Sequence, residues 1–434
     1  MKDKEDSTLI FLEKYHLDVR AYDFDENCRN FIDEMKSGLD SGSSLEMVPT
    51  FIEKGSTIPT GVPVLVLDAG GTNFRAAIVT FSEDRQPEIT KFRKMGMPGI
   101  EREYTKIEFY KAIADFIEDL ALLVDRIGFC FSYPMDKTSD KDGRLIKFSK
   151  EVKAPEVVGT LVGKSVLDTL RSRGINNVKK VIMLNDTVAT LLAGRASGGA
   201  DSYDEYIGLI IGTGMNASYN ERNSNIKKIS GLPEGGSQLI NMECGSYSRA
   251  PFGDVDEVYR ESTDNPLYFH FEKMISGAYL GPLCLKTMEI AASEELFTET
   301  FSSAVAAAAG KRDGFTTADL SRFLAGGLPR ELGSAASEED AEKALELCRA
   351  LMERAAFLSA VELSAIILRT DRGKTAEKPV CICADGSTFW KLTGFREKIE
   401  SYLTEYLESK GHFFKFIGIE NAPVIGAAVA GLTN

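Results

Sequence analysis

Apolar residues near the start of the chain recur at helical spacing, at Leu9, Leu12, Phe31 and Met35. The spacing predicts helix over Asp6–Gly38, ended by Gly38 and the polar run Asp40-Ser41-Gly42-Ser43-Ser44. Gly55–Gly61, with Pro59 inside it, is a second loop. The period then shortens. Val62–Leu67 and Phe74–Phe81 are nearly continuous apolar runs, parted by Asp68-Ala69-Gly70-Gly71-Thr72-Asn73, and read as a β-hairpin. Phe109–Val124 reads as an amphipathic helix and Arg126–Tyr133 as a strand closed by Pro134. A helix over Ser165–Ser172, a short buried strand over Lys180–Leu184 and a helix over Thr187–Ala196 follow. Tyr206–Ile211 and Asn216–Tyr219 form a second hairpin around Gly212-Thr213-Gly214. Glu338–Leu368 is a long helical region allowing one break, Val380–Ala384 a strand, and Phe395–Ser409 a helix. Hairpins mixed with helices predict α/β layers. The repeated strand, Gly-Thr turn and strand predict two related lobes with a cleft between them.

Composition narrows this picture without changing it. At about 150 residues per domain, 434 residues make two or three domains. Hydrophobic residues are 43% and charged residues 27%, the balance of a soluble globular chain. Lys plus Arg number 51 and Asp plus Glu 65, a formal charge of −14 that disfavours a nucleic-acid-binding face. A small nucleotide is less excluded, because one metal ion and a few backbone amides can hold its phosphates locally. The N-terminus, Met1 to Asp6, carries both signs of charge with no apolar core behind it, so no signal peptide is expected. Ala304–Ala309 is too short to span a membrane. Seven scattered cysteines predict reduced thiols and a cytoplasmic location. Cys381 and Cys383 would share a strand face and pack there, since neither a second Cys pair nor a nearby His completes a zinc set. His16, His270 and His412 are isolated in sequence.

Several segments carry candidate chemistry. In the first hairpin, Gly70 and Gly71 let backbone N–H groups approach an anion. Thr72 adds a hydroxyl, Arg75 a charged fork, and Asp68 a carboxylate suited to a magnesium-bound phosphate. An ordinary β-turn explains the same glycines. Gly212-Thr213-Gly214 repeats the character and the ambiguity. Asn185-Asp186-Thr187 follows a buried strand, where a carboxylate can be held over a cleft as a general base. Local sequence alone favours Asp186 as the N-cap of the next helix. Glu243 and Glu272 could orient a polyol, or could be solvated acids on helix faces. Gly159-Thr160-Leu161-Val162-Gly163-Lys164-Ser165 is set aside: three residues separate its glycines where a P-loop has four, so it reads as a helix start.

Taken together and in order, these segments resemble the hexokinase family of the sugar kinase, Hsp70 and actin superfamily. Leu67 to Arg75 looks like its first phosphate motif, and Gly128 to Pro134 like its sugar strand and loop. Asn185-Asp186-Thr187 looks like its catalytic segment, and Ile207 to Ala217 like its second phosphate motif. Asn241-Met242-Glu243 and Phe271 to Gly277 resemble its glutamate segments, and Ala384-Asp385-Gly386-Ser387 its adenosine motif. Phe148-Ser149-Lys150-Glu151-Val152 stands where the family shows Trp-Thr-Lys-Gly-Phe, keeping a hydroxyl and the lysine but losing the glycine. Glu420 to Ile425 replaces an Asp-Gly-Ser run before Gly426-Ala427-Ala428.

The resemblance implies two ribonuclease-H-like α/β lobes, the actin-like ATPase fold, around a sugar and ATP cleft. Residues 58–186 would form the small lobe, with 421–434 returning to it, and 1–57 with 187–420 the large lobe. It implies an ATP-dependent hexokinase acting on the 6-hydroxyl of glucose, with fructose or mannose as alternatives. A non-catalytic sugar sensor on the same fold is the competing expectation. Asp186 would be the base. Ser132, Ser149, Lys150, Asn185, Asn216, Glu243 and Glu272 would hold the sugar. Asp68, Gly70, Gly71, Thr72, Asn73, Arg75, Gly212, Thr213, Gly214, Gly386 and Ser387 would serve the nucleotide, with Asp68 facing Mg²⁺ directly or through water. The partners expected are hexose and ATP, without nucleic acid or membrane, in a monomer or a homodimer.

Overall fold

In the computed structural model, which describes residues 7–53, 57–148, 152–197, 202–311, 313–327 and 332–434, the N-terminal helical stretch is divided. It forms α1 (Ser7–Lys14) and α2 (Phe24–Asp40). His16 takes a left-handed backbone, φ 53°. The Asp23 carboxylate then accepts the Glu26 N–H at 2.8 Å and starts α2 afresh. Short polar side chains that bond their own backbone compete with helix continuation, so the apolar spacing reads through a break that they impose.

After a two-residue strand, β1 (Val48–Pro49), the first glycine-turn hairpin forms from β2 (Val64–Gly70) and β3 (Asn73–Phe81). β4 (Pro87–Gly96) extends it as an edge strand of half-buried and exposed residues, so no apolar run marks it in the sequence. α3 (Lys106–Ala121) opens on a capping box of Thr105 and Glu108 and buries Phe109, Ile113, Ile117 and Leu120 along one face. β5 (Arg126–Phe131), a small hairpin of β6 (Met135–Lys137) and β7 (Gly143–Leu145), α4 (Val162–Ser172), β8 (Lys180–Leu184) and α5 (Asp186–Ser197) follow. The P-loop-like run is indeed a helix start. The Asp142 carboxylate accepts the N–H groups of Gly163 and Lys164 at 2.7 and 2.8 Å, so the protein's own carboxylate fills that helix end.

The second half repeats the plan. β9 (Glu205–Ile211), β10 (Met215–Arg222) and β11 (Ser237–Asn241) form a meander. Helices α6 (Asp254–Glu261), α7 (His270–Ile275), α8 (Leu280–Ser293), α9 (Glu299–Ala309) and α10 (Thr317–Leu324) come next. α11 (Glu338–Thr370) runs unbroken for 33 residues, because it contains neither Gly nor Pro and packs against α2, α8 and α13 (Phe395–Glu408). β12 (Val380–Asp385) and α12 (Ser387–Lys391) precede α13, and β13 (Phe414–Ile417) and α14 (Ala422–Thr433) end the chain.

The first sheet has strand order β4-β3-β2-β5-β8 and the second β1-β11-β10-β9-β12-β13. Apart from β1, each is an antiparallel meander continued by two parallel strands, and each last strand leads into a helix. The duplicated architecture expected from the paired turns is therefore present. The two terminal helices are exchanged: α5 leaves the first sheet and packs on β9 and β12, while α14 leaves the second and packs on β2 and β5. Side-chain alternation along β2 sends Leu65 and Leu67 to the core under α3 and α4, and Val64 and Val66 to the middle layer of α5 and α14. Cys381 and Cys383 lie in that middle layer, sulfurs 3.7 Å apart. Among the described residues, no helix is long and apolar enough to cross a membrane.

Backbones meet directly in the middle layer. A Cβ on Gly426 would lie 1.8 Å from the Ala189 carbonyl oxygen, and one on Gly128 1.8 Å from that of Ala427. Only glycine allows that approach. Gly426→Ala should therefore lower unfolding stability by about 3 kcal/mol or more, at the upper end of overpacking effects. Gly235→Ala, whose Cβ meets nothing within 4 Å, should change it by less than about 0.5 kcal/mol. Thermal unfolding of the two variants beside the parent checks this, and an equal effect of both would refute it.

Candidate active site

The first turn is built on a register pair. Asp68 on β2 faces Arg75 on β3, and its Oδ2 accepts from Arg75 Nη1 at 2.7 Å. Asp68 is only 4% exposed. Burial pushes its carboxyl above the usual range, Arg75 opposes the rise, and the charge of Asp186 adds to it. Gly71 takes φ 62°, a conformation that favours glycine, and its carbonyl accepts from the Tyr133 hydroxyl at 3.0 Å. Thr72 is exposed at the turn, and the Asn73 amide donates to its hydroxyl at 3.3 Å. A Cβ on Gly70 would be 3.9 Å from both Asp68 Oδ1 and Ser132 Oγ, so these two oxygens border one gap. The Ser132 N–H donates to the Ala69 carbonyl at 3.0 Å, which holds the loop after β5 against β2.

Local sequence favoured Asp186 as the helix cap; the cap is Asn185. Asn185 Oδ1 accepts the Val188 N–H at 3.0 Å and its carbonyl accepts that of Ala189 at 3.0 Å. Asp186 is therefore the first residue inside α5, half-buried, with Oδ1 accepting from the Thr187 N–H at 2.9 Å. A carboxylate there sits at the positive end of the helix.

Asn216 is the second residue of β10, just past the second turn, and its amide donates to Asn241 Oδ1 at 2.7 Å. The Asn241 amide in turn donates to Glu243 Oε1 at 2.6 Å. Asn241, at the end of β11 and two positions from Glu243, is a site residue that the sequence motifs do not single out. Neither glutamate is a solvated acid on a helix face. Glu243 leaves β11 in a left-handed conformation, φ 54°, and Glu272 on α7 accepts the Met215 N–H at 3.0 Å. A Cβ on Gly214 would lie 2.7 Å from Glu272 Oε2, so glycine admits this carboxylate beneath the turn. Burial pushes Glu243 up to about 7, the Asn241 amide opposes this, and Glu46, Asp186 and Glu272 add to it. Burial also raises Glu272, against the Met215 N–H. Asp186 thus influences both Asp68 and Glu243 electrostatically. Ser149 and Lys150 lie outside the described residues.

At the second turn three backbone segments converge. The Gly212 carbonyl accepts from the Gly277 N–H at 2.8 Å and the Thr388 hydroxyl at 2.9 Å, and the Thr213 carbonyl from the Ala278 N–H at 3.0 Å. Gly386 has φ 111°, and a Cβ there would lie 2.2 Å from the Ile211 carbonyl oxygen. Thr213 remains exposed at the tip, and Ser387 opens α12 beside it in sequence with Gly386. Gly277 and Thr388 close this junction, and only their contacts in the fold reveal it.

Two family models, both described as hexokinase, match residues 206–433 and 13–196. The chain belongs to the hexokinase family. Hexokinase relatives include Hexokinase-7 of Oryza sativa subsp. japonica, 30% identical over 407 residues that cover 86% of this chain and 85% of that one. Glucokinase-1 of Kluyveromyces lactis is 30% identical over 426 residues, 86% of each chain. A solved hexokinase from Schistosoma mansoni complexed with glucose shares the fold, with TM-score 0.76 and 24% identity over 98% of both chains. The hexokinase fold, two ribonuclease-H-like α/β lobes of the actin-like ATPase type, accounts for the duplicated sheets.

Raised carboxyl pKa values have a stability consequence. Glu243 moves from 4.5 to about 7, so the folded state keeps a proton that the unfolded chain has released. Its contribution is fully present below pH 4.5 and is lost as pH rises to about 7. Glu243→Gln should match the parent near pH 4 and become more stable than it above pH 7, by about 2 kcal/mol after solvent screening. Thermal unfolding across that pH range checks it, and a gain already complete at pH 4 would contradict the assignment.

Proposed function

We propose that the chain transfers the γ-phosphate of ATP to the 6-hydroxyl of a hexose, glucose first, with fructose and mannose as further substrates. The observation that carries this reading is the position of Asp186 at the start of α5, where its charge reaches Asp68 on one side and Glu243 on the other. Asp186 accepts the hydroxyl proton as the sugar oxygen forms its bond to the γ-phosphorus, and the bond to the β,γ-bridging oxygen breaks to release ADP. An alcohol is a weak nucleophile while protonated, so a positioned base contributes about 10²- to 10⁴-fold.

The amide of Asn185, together with Asn216, Glu243, Glu272 and Ser132, orients the other sugar hydroxyls; Ser149 and Lys150 belong to a second proposed sugar-contacting loop. Gly70, Gly71, Thr72 and Asn73 present the first turn to the phosphates, with Arg75 beside it. Gly212, Thr213 and Gly214 present the second, with Gly386 and Ser387 against the nucleoside. Asp68 suits a magnesium ion, directly or through water: Arg75 engages its Oδ2, while Oδ1 borders the gap above Gly70. Mg²⁺ takes one or two carboxylates plus phosphates and water, and supplies charge neutralisation at the phosphates. Residues 58–186 with 421–434, and 1–57 with 187–420, serve as the two lobes. Their closure excludes water that would compete with the sugar hydroxyl. The seven unpaired, buried cysteines suit the reducing cytosol.

A coupled assay with Mg-ATP and glucose, fructose or mannose tests the proposal. Turnover of at least one hexose is expected, with kcat falling about 10²- to 10⁴-fold in Asp186→Ala. Calorimetric glucose binding without turnover of any of the three would replace the kinase by a sugar sensor.

A further inference from the structure

Behind the proposed sugar site lies a carboxylic acid that the site itself does not use. Glu362 is in the middle of α11, 0% exposed, and its carboxyl oxygens make no well-formed hydrogen bond, with only a loose approach to the Cys244 thiol. A buried polar group without a partner is costly and calls for a reason. Burial pushes its carboxyl up to about 7, so the neutral acid is well populated. The side chain facing it is the Cys244 thiol, also fully buried.

Cys244 links this acid to the cleft. Its thiol donates to Asn216 Oδ1 at 3.7 Å, where the N–H groups of Ala217 and Cys244 also converge, at 2.8 and 3.4 Å. Asn216 then donates to Asn241, and Asn241 to Glu243, at 2.7 and 2.6 Å. Every bond in this chain runs the same way, from thiol to amide to amide to carboxylate. A neutral Glu362 can head it by donating O–H to the Cys244 sulfur, which leaves the S–H directed at Asn216. With a charged Glu362, the S–H would turn to the carboxylate and leave Asn216. Buried chains of this kind strengthen along their length when every member is satisfied.

We infer that Glu362 is a positioning residue for the hexose: acting through Cys244, it sets the orientation of Asn216, Asn241 and Glu243. The inference rests on the reading of Glu243 as a sugar ligand. Its readout is the separation of hexose KM from kcat and from ATP KM.

Steady-state kinetics of Glu362→Leu, Glu362→Gln, Cys244→Ala and Glu243→Gln decide it. Glu362→Leu should raise glucose KM about fivefold, the equivalent of one neutral hydrogen bond, with kcat and ATP KM within about twofold of the parent. Glu362→Gln, whose amide can still donate to sulfur, should restore the parental glucose KM. Cys244→Ala should raise glucose KM like Glu362→Leu, with no further rise in the double variant. Should Glu362→Leu fail to fold, Cys244→Ala carries the test alone. An unchanged glucose KM in Cys244→Ala, or a parallel loss in kcat and ATP KM, overturns the inference. An unchanged glucose KM in Glu243→Gln refutes the sugar-site reading itself.

Discussion

Two helices meeting backbone to backbone between the sheets set the position of everything in the cleft. α5 and α14 approach so closely that Gly426 faces the Ala189 carbonyl without room for a Cβ. The same holds where Gly128 meets Ala427 and where Gly208 meets the Thr187 carbonyl, at 1.8 and 2.2 Å from a notional Cβ. Each helix leaves one sheet and packs on the other. Asp186 is the first residue of α5, so its carboxylate is placed by that fit, at the junction between the sheets.

The second constraint is electrostatic. The site gathers Asp68, Glu243 and Glu272 where burial penalises charge, and the charge of Asp186 adds to the penalty at Asp68 and Glu243. Arg75 offsets part of this at Asp68, and amide donors offset part at Glu243 and Glu272. Folding alone does not favour such an arrangement. It suits the reaction proposed, because a cation at the phosphates and hydroxyl donors on the sugar supply what the carboxylates lack. Stability sacrificed at a binding site is returned when the ligands arrive.

Glycine turns, strand runs and the order of the motifs were legible along the chain, because each depends on a few neighbouring residues. The N-terminal break, the edge strand β4 and the helices between Asp254 and Leu324 were not. Caps at Asp18 and Asp23 overrode an apolar period that continues through them. β4 has no buried face strong enough to leave a run. The cap of α5 was misplaced by one residue, because Asn and Asp compete equally for that role and only the bond to Val188 distinguishes them.

Sequence by itself therefore determined the family, the duplicated strand–turn–strand units and the residues offered to the site. Only tertiary structure decided that Asn185, not Asp186, caps α5, that Asn241 joins Asn216 to Glu243, and that Glu362 stands behind them. Motifs are local, so covalent order preserves them. The carboxylates' pKa values and the hydrogen-bond chain are not, since burial and contact arise only when segments far apart in sequence are packed together.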